Sequence, residues 1–402
     1  MGWQICSRPD MIRRDYLIVG AGVAGVAACE AIRSLDKKGS IMLVGAEPHA
    51  AVNRPELLGG ILGPKSSPIE KLLTHDDAWF SRNKVDVRLD TIATQFSLEQ
   101  RAAVLANGQA VKFEKALLAT GSRARRPQVA GANLGNIFYL RSAREVAALR
   151  EVLDLEKNAV VIGGGFVGVE VAAHLRKLKL GVTLMTRGQF AWSRYLDAET
   201  GAWFSDYLAG NGVKLMLGEH LNGFEGRTYL QRVQTKSGGR IDTMLAVCAI
   251  GSEPNLQLVS ASPLWSQSGC PVTERLESDE LGIFAAGDIA LYPNAHMGGM
   301  RREEHWDAAV AMGRHAGLNM AAKKMSKFEY VPWHQSRVFD LQFDFVGDFT
   351  RPPTRVEIEG DRNKKHRFVL ACYQLNKLTG YVFCNEDAKK VQKARTDFPK
   401  MK

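Results

Sequence analysis

Tyr16-Leu17-Ile18-Val19-Gly20-Ala21-Gly22-Val23-Ala24-Gly25 is an apolar run that breaks into Gly-x-Gly-x-x-Gly, and it reads as a strand turning directly into a helix. Gly20 permits the tight turn, Gly22 lets backbone amides approach a pyrophosphate, and Gly25 lets a helix over about residues 26–34 pack closely on the strand. The N–H groups at the helix start and the helix dipole then suit an anion. A glycine-tolerant corner without a ligand is the alternative, so the weight rests on what surrounds the motif.

Working outward, Ile41-Met42-Leu43-Val44 reads as the second strand and ends at Gly45-Ala46-Glu47-Pro48. Glu47 falls about 20 residues past the glycine turn, where a dinucleotide fold places a carboxylate for an adenosine ribose; a surface residue capping the strand is the alternative. Asn53-Arg54-Pro55 follows in a loop, and the Arg54 fork suits paired phosphate oxygens or a surface ion pair equally. Residues 66–80 read as helical in their later part and 85–88 as a strand. Residues 91–98 and 102–105 read as a hairpin excursion with Asn107-Gly108 as a turn. Residues 115–121 then form an apolar strand ending in Ala119-Thr120-Gly121 that returns to the first sheet.

A second turn follows in Ala159-Val160-Val161-Ile162-Gly163-Gly164-Gly165-Phe166-Val167-Gly168-Val169-Glu170, with a helix over about 167–178. Two such turns in one chain are far more specific than one, and they imply two dinucleotides, or one cofactor and one dinucleotide substrate. The strand at 181–185 ends in Thr186-Arg187 rather than an acidic residue. That ending favours the 2′-phosphate of NADP over the 2′-hydroxyl of NAD, although an Arg can also lie over an adenine ring. Residues 244–250 lead into Gly251-Ser252-Glu253-Pro254-Asn255, and Gly282-Ile283-Phe284-Ala285-Ala286-Gly287-Asp288 ends another strand in a carboxylate. In a doubly wound sheet that end borders the ligand crevice. Glu304-His305-Trp306 starts a helix with small and apolar residues at Ala308, Ala309, Met312, Ala316 and Met320. After Val331-Pro332-Trp333-His334-Gln335-Ser336, β-like runs at 339–346, 367–375 and 379–383 suggest a separate α+β domain.

A chain of 402 residues with 45% apolar and 24% charged content is an ordinary folded globular protein of two or three domains. Its longest apolar stretches fall far short of the roughly 20 residues of a membrane helix, so no membrane span is expected. The first fifteen residues carry Arg8, Arg13 and Arg14 without the apolar core of roughly 7–15 residues that a secretory signal needs. Six scattered cysteines, among them Cys6 and Cys29, form no C-x-x-C pair or metal-ligand spacing, which argues for a reduced cytoplasmic chain without a bound metal. A net charge of +10 reads first as a generic solvated surface and next as an attraction to an acidic protein partner rather than to nucleic acid, because the basic residues are dispersed and lack interleaved aromatics.

The ordered set of motifs resembles the FAD-dependent pyridine nucleotide-disulfide oxidoreductase superfamily, in the branch of ferredoxin and rubredoxin reductases and apoptosis-inducing factor. The residues that carry it are 20–25 with Glu47, Asn53-Arg54-Pro55, Ala119-Thr120-Gly121, 163–170, 249–255 and Ala286-Gly287-Asp288, and it covers nearly the whole chain. The resemblance implies an α/β fold of two Rossmann-like dinucleotide-binding domains, the second inserted in the first, plus a small C-terminal α+β domain. The FAD-binding domain would comprise residues 1–123 and 253–328, the NAD(P)-binding domain 124–252 and the C-terminal domain 329–402. By the same resemblance Gly20, Ala21, Gly22, Val23, Ala24 and Gly25 would hold the FAD pyrophosphate and Glu47 its ribose, with Arg54 near the central chain. Val87 would meet the adenine, Ala119, Thr120, Gly121 and Gly287 would line the cofactor, Asp288 would bond the ribityl hydroxyls, and His305, Trp306 and Trp333 would line the isoalloxazine pocket. Gly163, Gly165, Phe166, Val167, Gly168, Thr186, Arg187 and Gly251 would hold NAD(P)H, with Glu170 positioning the nicotinamide.

The departures bear on function. Disulfide reductases of the superfamily carry a redox cysteine on the first helix or in the loop after the second strand, whereas residues 50–58 here hold none and Cys29 stands alone, in a position that suits core packing. The ferredoxin-reductase branch usually has Arg-Pro-x-Leu-Ser-Lys in that loop, its Lys paired with the carboxylate equivalent to Glu170. Here Leu58-Gly59 replaces Ser-Lys, so Glu170 is expected to be protonated or to bond a water or the nicotinamide amide. The reading is therefore an NAD(P)H-dependent flavoprotein reductase, monomeric or dimeric, that passes electrons to a separate acceptor, an acidic one-electron carrier such as a ferredoxin. A redox-sensing interaction protein similar to apoptosis-inducing factor, with slow turnover, is the alternative.

Overall fold

The computed structural model describes residues 11–63 and 67–398; the expectations placed on Cys6, Arg8 and Ser66 lie outside them. The chain divides into two compact units. The first contains the segment ending at Asn53 together with Ile69–Arg123 and Pro254–Tyr330.

At the centre of the first unit the strand Ile12–Val19 runs parallel to Ile41–Val44 on one side and to Ala110–Leu118 on the other. Val85–Arg88 extends the sheet beyond Ile41–Val44, and Ile283–Ala285 pairs in parallel with Ala110–Leu118. Tyr16 to Val19 and all of Ile41–Val44 are buried, as strands covered on both faces must be, and an unbroken apolar run rather than an alternating one encodes that. The antiparallel hairpin Ala93–Ser97 and Ala102–Leu105 pairs onto Ala110–Leu118. The helix Val23–Leu35 covers one face and packs tightly on the helix Trp306–Ala321. A Cβ on Gly313 would lie 2.1 Å from the Ala24 carbonyl oxygen, and one on Gly317 2.4 Å from that of Ala28. Glycine is therefore what lets the two backbones touch.

The first helix begins three residues before the expected position, because Gly22 is already its extended cap. The helix expected within 66–80 is short, Asp77–Arg82, started where the Asp76 side chain accepts a hydrogen bond from the Trp79 N–H. The strand expected at 115–121 begins earlier, at Ala110.

The second unit contains Ala124–Glu253, the residues from Val331 onward, and the stretch that opens with the turn Arg54–Glu56 and the helix Leu57–Leu62. Its parallel sheet runs in the order Val213–Leu217, Gly181–Thr186, Asn158–Ile162, Ala246–Cys248, Ile137–Phe138. The helix Phe166–Lys177 packs on these strands. Ala143–Leu153 starts at a capping box, in which the Ser142 hydroxyl and the Glu145 side chain each satisfy the other's backbone N–H. A three-stranded meander, Leu221–Gly226, Leu230–Thr235 and Arg240–Asp242, interrupts the βα pattern. The C-terminal sheet is antiparallel and five-stranded, in the order Trp333–Val338, Leu341–Gly347, Lys377–Cys384, Arg367–Gln374, Arg355–Asp361, followed by the helix Ala388–Asp397. The fold is thus mixed α/β, two parallel-sheet dinucleotide folds and an antiparallel C-terminal sheet. No helix of the described residues is long and apolar enough to cross a membrane.

Candidate dinucleotide-binding sites

In the first unit the turn is shaped by two steric demands. Gly20 adopts φ +123°, and a Cβ there would sit 2.0 Å from the Ala119 carbonyl oxygen; a Cβ on Gly25 would sit 1.9 Å from the Gly20 carbonyl oxygen. The helix cap, Gly22, is extended and offers no side-chain hydrogen bond, so the first-turn N–H groups are left for a ligand or water. Ala21, Val23 and Ala24 complete the turn, with Ala21 and Ala24 buried. Glu47 is half-buried just past Ile41–Val44, and Val87 pairs with Leu43 on the neighbouring strand.

Ala119-Thr120-Gly121 is clasped by Asn255. The Thr120 hydroxyl donates to the Asn255 carbonyl at 2.7 Å, and the Asn255 amide donates to the Thr120 carbonyl at 2.9 Å. The Thr120 hydroxyl is thereby spent on the fold. Asp288 lies in the turn Gly287–Ile289 and is 5% exposed, and its Oδ2 accepts from the Ser122 hydroxyl at 2.6 Å. Gly287, at φ +75°, leaves room for Ala24 and Ala309 beside it. His305 caps the helix Trp306–Ala321, and burial lowers its pKa against the opposing pull of Asp288, Glu304 and Asp307. The Trp306 indole Nε1 is buried with no hydrogen-bond partner among the described residues. An uncapped glycine turn, a buried carboxylate and an orphaned indole N–H fit a dinucleotide cofactor bearing a polar ring system.

The second unit repeats the turn. Gly163 has φ +120° and a Cβ there would lie 2.1 Å from the Ala249 carbonyl oxygen, while one on Gly168 would lie 1.9 Å from the Gly163 carbonyl oxygen. Gly165 is the extended cap, without a side-chain bond, and a Cβ on it would meet open space. Gly251, at φ +107°, also faces open space, and Val167 is 47% exposed. Thr186 is buried and accepts from the Gly188 N–H at 3.2 Å, whereas Arg187 is exposed at the strand end. The Phe166 ring turns inward against Trp192, Tyr195, His334 and Phe345. Trp192, buried and at φ 60°, ties this cluster to the turn by donating its N–H to the Gly164 carbonyl at 2.8 Å.

Glu170 sits one turn into the helix Phe166–Lys177. Its Oε1 accepts from the Ser336 hydroxyl at 2.5 Å, and the Arg337 N–H also bonds it. Burial outweighs both bonds and raises the carboxyl pKa to about 7, which puts it near half-protonated at neutral pH. Arg54 opens the turn Arg54–Glu56 of the second unit. Trp333, in the same unit, donates its indole N–H to the buried Asp344 at 2.9 Å and lies under the Arg395 guanidinium, 4.4 Å from the ring centre. Sequence reasoning missed Ser122, Asn255, Trp192 and the role of Ser336, whose partners lie far away in the chain; the Asn255 and Ser336 positions were visible only as members of motifs.

The five described cysteines, Cys29, Cys248, Cys270, Cys372 and Cys384, are buried and free, and burial pushes the Cys29 thiol up to about 12. Among the described residues no cluster suited to a metal ion is present.

A family model described as pyridine nucleotide-disulphide oxidoreductase matches residues 14–313. The peroxisomal monodehydroascorbate reductase 4 of Arabidopsis thaliana is 31% identical over 83% of this chain and 72% of its own. The ferredoxin–NAD(+) reductase component of the biphenyl dioxygenase system of Paraburkholderia xenovorans (strain LB400) is 30% identical over 88% of this chain and 85% of its own. Among solved structures, the ferredoxin reductase for the CYP199A2 system from Rhodopseudomonas palustris matches with a TM-score of 0.90 at 27% identity, covering 97% of this chain and 94% of that one. With paired glycine turns in a fold shared along nearly the whole chain, the protein belongs to the pyridine nucleotide-disulphide oxidoreductase family and is an oxidoreductase.

Proposed function

We propose that the protein is an FAD-dependent NAD(P)H oxidoreductase that passes electrons from a nicotinamide nucleotide to a ferredoxin-like one-electron carrier. The observation that carries this reading is the presence, in each unit, of its own glycine turn with an uncapped helix start. In the first unit Gly20 to Gly25 hold the FAD pyrophosphate, Glu47 the ribose, Val87 the adenine and Asp288 the ribityl hydroxyls, with Gly287, His305 and Trp306 beside the ring system. In the second, which interrupts the first in the chain, Gly163 to Gly168, Gly251 and Arg187 hold the nucleotide and Glu170 orients its carboxamide. Bound FAD supplies the chemistry, accepting a hydride and releasing electrons singly. The chain's residues orient the nucleotide and the cofactor, and no side-chain nucleophile is needed.

Two of the relatives support a one-electron acceptor: one is named for ferredoxin and the other for monodehydroascorbate, an organic radical. The net charge of +10 favours the protein carrier, since opposite charge steers an acidic partner into contact. Cys29 is held as a buried thiol, which argues against thiol–disulfide exchange, and five buried free thiols suit the cytoplasm. Mixing the flavin-loaded protein anaerobically with NADH or NADPH is expected to bleach the flavin band, and an added ferredoxin is expected to restore it. Failure of both nucleotides to bleach it would overturn the reading. NADPH is the expected donor, with Arg187→Ala losing that preference; a roughly tenfold preference of the wild type for NADH would remove the role given to Arg187. The Trp333-His334-Gln335-Ser336 run and the Leu58-Gly59 that stands in place of Ser-Lys favour a second reading, a redox sensor similar to apoptosis-inducing factor. A long-lived reduced complex with slow acceptor turnover would support the sensor over the reductase.

A further inference from the structure

We propose that Ser336 is a positioning residue for nucleotide-driven reduction, holding the Glu170 carboxyl from the edge strand of the C-terminal sheet and controlling whether that carboxyl carries a proton. The inference rests on the reading above, in which Glu170 meets the nicotinamide carboxamide. It concerns what sets the chemical state of that contact.

The geometry is specific. Ser336 is 2% exposed in the strand Trp333–Val338, where it pairs with Phe343 of the next strand. Its hydroxyl, held in that ladder, donates to Glu170 Oε1 at 2.5 Å. A donated hydrogen bond stabilises the carboxylate, as does the Arg337 N–H, whereas burial stabilises the acid. The opposed effects leave the carboxyl to titrate at about 7. The neutral acid can donate to a carboxamide oxygen, and the carboxylate can only accept from a carboxamide N–H. Protonation therefore selects how the nicotinamide amide is held.

No charged side chain accounts for the state of Glu170, whose causes are burial, Ser336 and the Arg337 N–H. On its own helix His174 lies one turn on, its Nδ1 against the Glu170 carbonyl at 2.9 Å, and its own pKa is lowered by burial. Arg176 and Lys177 end that helix. From the edge strand come His334, packed on Phe166 and Phe345, and the exposed Arg337 side chain. The exposed Lys214 lies on the strand Val213–Leu217, while Leu57–Leu62, Asn158–Ile162 and Gly181–Thr186 contribute no charged residue.

The test follows flavin reduction of the flavin-loaded protein by stopped flow from about pH 5.5 to about pH 9, beside infrared titration of the protonated-carboxyl band. The wild type is expected to show one inflection near neutrality in both, and Glu170→Gln to lack both. Ser336→Ala removes a bond that favours the charged form, so the inflection is expected to move up by about one pH unit. Ser336→Thr is expected to restore it, and Ser336→Cys, a weaker donor that also guards against a misfolded alanine variant, to shift it less in the same direction. An inflection and band in Ser336→Ala and Ser336→Cys indistinguishable from wild type would overturn the proposal. If no nucleotide bleaches wild-type flavin, the functional reading fails, and the infrared titration alone decides whether Ser336 controls the carboxyl.

Discussion

Glu170 links protonation to stability as well as to nucleotide contact. Its pKa rises from 4.5 to about 7 on folding, so between those values the folded state binds more protons than the unfolded one, and stability falls as pH rises through about 7. Glu170→Gln removes that ionisation. Denaturant titrations are therefore expected to show the variant gaining on the wild type from pH 4 to pH 8, by up to about 3 kcal/mol; a pH-independent difference would refute the raised value. At the first turn, Gly20→Ala would force a Cβ to 2.0 Å from the Ala119 carbonyl oxygen at φ +123°. The expected result is purified protein with little bound flavin and a stability loss on the order of 1–3 kcal/mol. The turn glycines were legible because their spacing is local. Ser122 beneath Asp288 and Ser336 beneath Glu170 were not, since nothing in the sequence near a serine says which distant carboxylate it will meet.

Periodicity identified the helix Trp306–Ala321 and its buried Ala308, Met312, Ala316 and Met320, but not what it lies against. The partner is Val23–Leu35, approached through Gly313 and Gly317. Gly317→Val would push side-chain atoms into the Ala28 backbone, 2.4 Å from where even a Cβ would start. A loss of about 3 kcal/mol or more is expected in thermal melts, against a small effect for an exposed control such as Lys323→Ala. The strand Ile41–Val44, buried on both faces, was found at its full length because its four-residue apolar run is too short for a helix and is bounded by Gly39-Ser40 and Gly45. The meander from Leu221 to Asp242 was not found. Its strands are short and carry register shifts, and both weaken an alternating pattern.

For the molecule as a whole, the order of glycine turns and strand ends was readable because each is a short motif in a fixed sequence. The grouping of Arg54–Glu56 with the second unit was not, because it follows from the adjoining helix Leu57–Leu62, which packs against Ala143–Leu153 and Phe166–Lys177, rather than from any local signal. Charge also acts at this scale. With a net +10, reduction of an acidic ferredoxin is expected to slow as salt rises from about 50 mM to about 500 mM, mainly through the association rate. Salt-independent kinetics would argue instead for a small uncharged acceptor.

The first unit is assembled from segments that flank Ala124–Glu253, and this has a consequence for synthesis on the ribosome. The chain emerges from its N-terminus, so Gly20 to Gly25 are made early, yet Ile283–Ala285, Asp288 and the glycine-bearing face of Trp306–Ala321 arrive only after the whole intervening segment has been made. Until then Ala24 and Ala28 lack the helix that covers them. The parallel sheet of the second unit, encoded entirely between Ile137 and Cys248, has its strands complete sooner. The nascent chain thus carries an unfinished first unit while the intervening segment is made, and stalled products ending near residue 280 are where chaperone dependence and aggregation are expected to concentrate.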